Sequence, residues 1–125
     1  MNRYLLISLG AILGANARYL VNTWAIDRIG AGFPYGTLLV NVSGSLVLGF
    51  IVGAASGRIA ISPELRFFLG VGFLGAYTTF SSYAVESVEL LRTGEIAMGL
   101  LNIAGNNLLA LTAAFLGVLI AHWIG

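Results

Sequence analysis

Four apolar runs, each close to the length that crosses a bilayer, follow one another with only short connectors between them. They cover about 4–24, 36–55, 64–91 and 96–123. A hydrocarbon core about 30 Å thick takes roughly 20 residues of α-helix. Within that core each backbone polar group has to bond inside its own segment, which leaves helices or closed barrels. The pattern predicts an all-α membrane protein, a single four-helix transmembrane domain over 1–125. Short loops make successive helices antiparallel neighbours. "GAGFP" (30–34) and "ISP" (61–63) are the turn-like breaks before the second and third runs.

The first run has a second reading. Arg3, an apolar stretch and Ala15-Asn16-Ala17 also have the layout of a signal peptide with a small-residue cleavage site. Cleavage there would leave three spans starting at Arg18. The helical pattern continues past Ala17 to Trp24, which favours four.

Composition supports the membrane assignment. Only 9% of the 125 residues are charged and 58% are hydrophobic, whereas a soluble domain carries about 25% charge. A net charge of +1 without basic clusters argues against a nucleic-acid partner. There is no cysteine and His122 is the sole histidine. No nucleophile–base set can be assembled, so an enzyme is disfavoured. The 17 glycines fit close helix packing, since lipid gives helices no hydrophobic drive to associate. Gly10/Gly14 and Gly49/Gly53 each place two small residues on one helix face.

Positive charge sets orientation in the membrane. With four spans, one side holds Arg3, Arg58 and Arg66; the other holds Arg28 and Arg92, with Arg18 nearer to it. Such balance lets the chain insert either way up. An antiparallel two-fold dimer then becomes available, and it would cover polar faces that four short helices cannot hide alone.

Those polar faces are what hydropathy leaves unexplained. Thr37, Asn41 and Ser45 form a stripe on the second helix; Asn102 and Asn106 form one on the fourth, with Asn107 a step around. Ser82 and Glu86 stack on the third, with Thr78 below. A polar group facing hydrocarbon without a partner costs several kcal/mol, so the stripes face protein or water. Helix-to-helix hydrogen bonding is the plain explanation; a transport pathway is the other. The side chains are mostly neutral donors, which suit an anion better than a cation. Phe80 and Tyr83 lie on one face beside the hydroxyls. Ordinary packing explains their spacing, although aromatic ring edges are also electropositive. "GAYTTFSS" (75–82) is a poor helix, with a glycine and two β-branched threonines. A break there would free backbone carbonyls for a small cation. Arg18 either snorkels to the interface or draws anions into a vestibule.

"GAILGANARY" (10–19), "GTLLVNVSG" (36–44) and "GFLGAYTTFSSYAVE" (72–86) resemble the small fluoride channels of the Fluc or CrcB family, over the whole chain in length, span order and motif spacing. The resemblance implies a dual-topology homodimer of antiparallel subunits in the cell's inner (plasma) membrane. Its third helix is broken near the midplane, and its two pores release fluoride passively and protect the cell from fluoride toxicity. Carried over by motif, Asn41 would donate to fluoride and Phe80 would meet it with its ring edge. Thr37, Ser81, Ser82, Glu86 and Asn106 would continue the polar track, with Asn102 near one end. Arg18 matches the first-helix arginine. The carbonyls of Gly75 and Thr78 would hold a structural sodium ion on the dimer axis. This chain departs from the family at Tyr83, where a second phenylalanine is usual, and at Asn106 and Ala110 on the fourth helix, where serine is expected.

Two other functions compete. A small multidrug exporter couples to protons through a carboxylate midway along its first helix, where this chain has Asn16 and Arg18 instead. A non-transporting assembly protein would account for the glycines but not for three donor-lined stripes.

Overall fold

A computed structural model describes residues 2–125, and all of its regular structure is helical. Helix α1 spans Arg3–Arg28 and α2 spans Tyr35–Ala55. A third helical run, α3, covers 63–77: a first turn Pro63–Leu65, a π-helical middle Arg66–Leu74 and a last turn Gly75–Tyr77. Helix α4 is Phe80–Arg92 and α5 is Ile96–Ile124. Three of these, α1, α2 and α5, are long and apolar enough to cross a membrane. The chain is therefore a multi-pass membrane protein.

Local chemistry sets the ends. Asn2 caps α1 by accepting the Tyr4 N–H at 2.7 Å. The helix runs past Trp24 through Asp27 and Arg28, and Gly30, at φ +117°, turns the chain out of it. Ser62 accepts the Leu65 N–H ahead of α3, with Pro63 at the first helical position. Gly94, at φ +88°, makes the tight turn between α4 and α5.

Packing is inverted relative to a soluble bundle. Large apolar side chains such as Leu108, Phe115 and Trp123 face outward, while the largest fully buried side chains are Val40 and Asn102. Glycine mediates the closest helix contacts. A Cβ at Gly49 would run into the Ala114 carbonyl of α5, and one at Gly117 into the Leu46 carbonyl of α2. On the other side of the bundle, Gly10 and Gly14 of α1 sit against the backbone of Phe68 and Phe73 in α3. Each pair of axes thus approaches closer than any side chain would allow. The polar residues are left in the seam between the two pairs, where α4 lies.

Candidate functional site

Between α3 and α4 the backbone leaves helical geometry for two residues. Thr78 (φ −81°, ψ 158°) and Thr79 (φ −151°, ψ 117°) are extended. A helix C-terminus and a helix N-terminus therefore meet almost end to end, one offering carbonyls and the other N–H groups. The Thr78 N–H goes to the Leu74 carbonyl and the Thr79 N–H to Asn41 Oδ1, so the Gly75 carbonyl loses both of its helical partners, and the Thr78 carbonyl accepts no backbone hydrogen bond among the described residues. Three side chains fasten the interruption. Arg18 Nε donates to the Ala76 carbonyl at 3.0 Å, a cation placed at a helix C-terminus. Thr78 turns its hydroxyl back to the Leu74 carbonyl at 2.9 Å. Thr79 caps α4, its Oγ1 accepting the Ser82 N–H at 3.2 Å.

Asn41 is the principal clamp. Its Oδ1 accepts the Thr79 N–H at 2.8 Å, and its Nδ2 donates to the Thr79 carbonyl at 3.0 Å. One amide thereby replaces both backbone partners that Thr79 loses by leaving the helix. The second Nδ2 hydrogen goes to Asn106 Oδ1 at 2.9 Å. From there an amide relay runs inward: Asn106 Nδ2 to Asn102 Oδ1 at 3.0 Å, then Asn102 Nδ2 to Ser87 Oγ at 2.9 Å. Asn102 is completely buried and Asn106 nearly so. Asn102 sits behind Asn106 and lines neither of the two cavities beside Thr79.

Two cavities flank Thr79. The first, about 310 Å³, lies between α2, α4 and α5 and is lined by Asn41, Ser45, Thr79, Phe80, Tyr83 and Asn106, among others. It contains no carboxylate. Ser45 offers a hydroxyl that no described residue engages, and Phe80 and Tyr83 meet edge-on with ring centres 5.3 Å apart. Further along this wall, Ala110, Leu111 and Ala114 supply no donor. The second cavity, about 300 Å³, lies between α1, α2 and α4 and includes Arg18, Asn22, Thr37, Thr79, Ser82 and Glu86. Here Thr37 Oγ1 donates to the Glu86 carboxylate at 2.7 Å. Thr79 faces both spaces.

The residues singled out from sequence largely converge on this seam. Thr37, Asn41, Arg18, Ser82, Glu86, Phe80, Tyr83 and Asn106 all line one cavity or the other. Ser81 is exposed, its nearest polar partner being Thr79 Oγ1 at 3.5 Å. Two participants, Ser87 and Asn22, escaped the sequence reading, and Thr79 was legible there only as one of the hydroxyls of the third motif. Ser87 completes the buried relay, Thr79 connects the two cavities, and Asn22 joins the Arg18 cavity and packs on Gly36. Ser87 had a legible signal, lying four residues beyond Tyr83, whose carbonyl it bonds at 2.7 Å.

Comparison with known proteins gives one consistent result. Residues 5–118 match the family model described as CrcB-like protein, Camphor Resistance (CrcB). A protein of Synechococcus sp. called fluoride-specific ion channel FluC is 44% identical over 116 residues, covering 93% of this chain and 89% of that relative. Its namesake from Anaeromyxobacter dehalogenans is 43% identical over 124 residues, covering 99% and 98%. A third, from Legionella pneumophila (strain Paris), is 44% identical over 121 residues, covering 97% and 90%.

Proposed function

The chain belongs to the CrcB-like family, and we propose that it is a fluoride channel, an ion channel and not an enzyme, that lets fluoride leave the cell down its gradient. The observation that carries this reading is the carboxylate-free cavity beside Thr79, whose polar wall consists of amides, hydroxyls and aromatic ring edges. Fluoride is small and strongly hydrated, so a path through lipid has to replace its water with donors. Neutral donors attract the ion without trapping it. Asn41, Phe80 and Tyr83 form the central step of this path, and Asn106 extends it along α5. Arg18 concentrates anions at the mouth that Thr37, Ser82 and Glu86 line, with Ser81 and Asn102 flanking the track.

Asn41 spends both of its amide hydrogens on protein partners. An arriving fluoride takes the hydrogen now given to Asn106 Oδ1, while the two-point clamp on Thr79 stays in place. The exchange keeps the Asn41 donor satisfied at every stage.

The remaining features form one assembly. The interruption at Thr78–Thr79 lies near the bilayer midplane, so that α3 and α4 together make the fourth span. Two copies associate antiparallel in the plasma membrane, each pair holding two pores. The carbonyls of Gly75 and Thr78, unclaimed by backbone partners, are hard oxygen ligands suited to a small hard cation. A copy related by a two-fold axis doubles them to four, a set that fits a structural sodium ion.

The test is direct. Purified protein in liposomes loaded with fluoride should release it rapidly to an external fluoride electrode, and chloride-loaded liposomes should release almost none. Fluoride efflux no faster than from protein-free liposomes would refute the proposal.

A further inference from the structure

The geometry points to Tyr83 as a hydroxyl donor to the permeating anion, aimed by Asn107, which acts as a positioning residue. This rests on the fluoride-channel reading above and adds to it a specific donor and the residue that orients it. Asn107 Nδ2 donates to the Tyr83 hydroxyl oxygen at 2.8 Å and to the Ile103 carbonyl at 2.8 Å. A carbonyl can only accept, so the nitrogen of the amide must be the atom on this side, and both of its hydrogens are used. Tyr83 therefore accepts from Asn107, and its own hydrogen has no acceptor among the described residues. That hydrogen sits on a residue lining the cavity with Asn41 and Asn106, opposite an α5 wall that is apolar from Ala110 onward. A phenol in this arrangement is a one-way donor: its oxygen is occupied by an N–H and its O–H is left for an anion.

The consequence depends on the residue at position 83 being tyrosine. A phenylalanine at position 83 could face fluoride only with its weakly positive ring edge. Tyrosine held by Asn107 adds a true hydrogen bond, and hydrogen bonds to charged groups are the stronger kind. It supplies on α4 the hydroxyl that Ala110 does not supply on α5. Asn107 never needs to touch the ion. Anchored to its own helix through Ile103, it fixes the direction in which the phenol points.

The experiment is a double-mutant cycle on fluoride efflux from liposomes, with wild type, Tyr83→Phe, Asn107→Leu and the double variant compared at equal dimer content. Tyr83→Phe keeps the ring and removes only the hydroxyl. It should slow fluoride efflux about fivefold, in line with the loss of one hydrogen bond, and raise the half-saturating fluoride concentration. Asn107→Leu should slow efflux by a smaller factor, and the double variant should match Tyr83→Phe alone. Wild-type rates in Tyr83→Phe would overturn the inference while leaving the channel reading intact. An Asn107→Leu effect that persists undiminished on the Tyr83→Phe background would remove Asn107 as the positioning residue. Wild-type protein that passes no fluoride would sink both readings together.

Discussion

Asn41 makes three hydrogen bonds, and the two it donates depend on its amide nitrogen. Aspartate at this position keeps the acceptor for the Thr79 N–H but sets a carboxylate oxygen against the Thr79 carbonyl and Asn106 Oδ1. It also adds a negative charge to an anion path. Asn41→Asp should therefore cut fluoride efflux at least about tenfold, the effect of an uncompensated polar clash of roughly 1.4 kcal/mol or more. Efflux at the wild-type rate would take residue 41 off the pathway. Sequence placed Asn41 on a polar stripe and gave it one role, as a donor to the ion. The clamp on Thr79 was illegible there, because it joins residues 38 positions apart through a backbone that must first leave the helix. Asn102 illustrates the same limit. Its spacing from Asn106 fixed a shared helix face, but only packing decides that one of the two is sealed behind the other.

At the scale of helices, the 17 glycines divide into those that meet another backbone and those that do not. Spacing alone revealed the pairs Gly10/Gly14 and Gly49/Gly53, since residues four apart share a helix face. It could not say which unpaired glycines matter. On α5, Gly117 lies against the Leu46 carbonyl and the Phe50 N–H, whereas a methyl group at Gly105 would make only ordinary contact with Leu38 at 3.8 Å. The same substitution should thus have different outcomes at two positions on one helix. Gly117→Ala should destabilise the protein by about 1–3 kcal/mol, the usual range for overpacking, because backbone cannot yield as a flexible side chain can. Gly105→Ala should be neutral. Thermal unfolding of both variants in the same lipid reads the difference directly; equal midpoints would show that α2 and α5 are not held at this spacing. The gap between α3 and α4 was better marked in the sequence. Gly75 and two adjacent β-branched threonines weaken a helix, and the two extended residues are those threonines. The π-helical middle of α3 left no such mark, since its apolar run suits an α-helix equally well.

The whole molecule, taken as one chain, presents Phe80 at 78% exposure beside its donor-lined cavity. That ring needs cover, and so do the unclaimed carbonyls of Gly75 and Thr78. In the antiparallel dimer proposed above a second copy would supply both, and the arginine balance between the two faces permits it: three on one side against two, with Arg18 between. Antiparallel pairing requires that both orientations exist in one membrane, and this is measurable because the chain contains no cysteine. Gly32, exposed in the α1–α2 loop with nothing within 4 Å of a Cβ, accepts a single reporter thiol without strain. In intact cells a membrane-impermeant maleimide should modify about half of Gly32→Cys, the remainder reacting only after permeabilisation, as expected when loop charge gives no preferred orientation. Modification of all or none of the molecules from outside would mean a single orientation, and the antiparallel dimer would have to be abandoned. Adding arginines to one terminus should push labelling towards one extreme and reduce fluoride efflux in parallel, since a pore that needs two opposed copies disappears as either orientation becomes scarce.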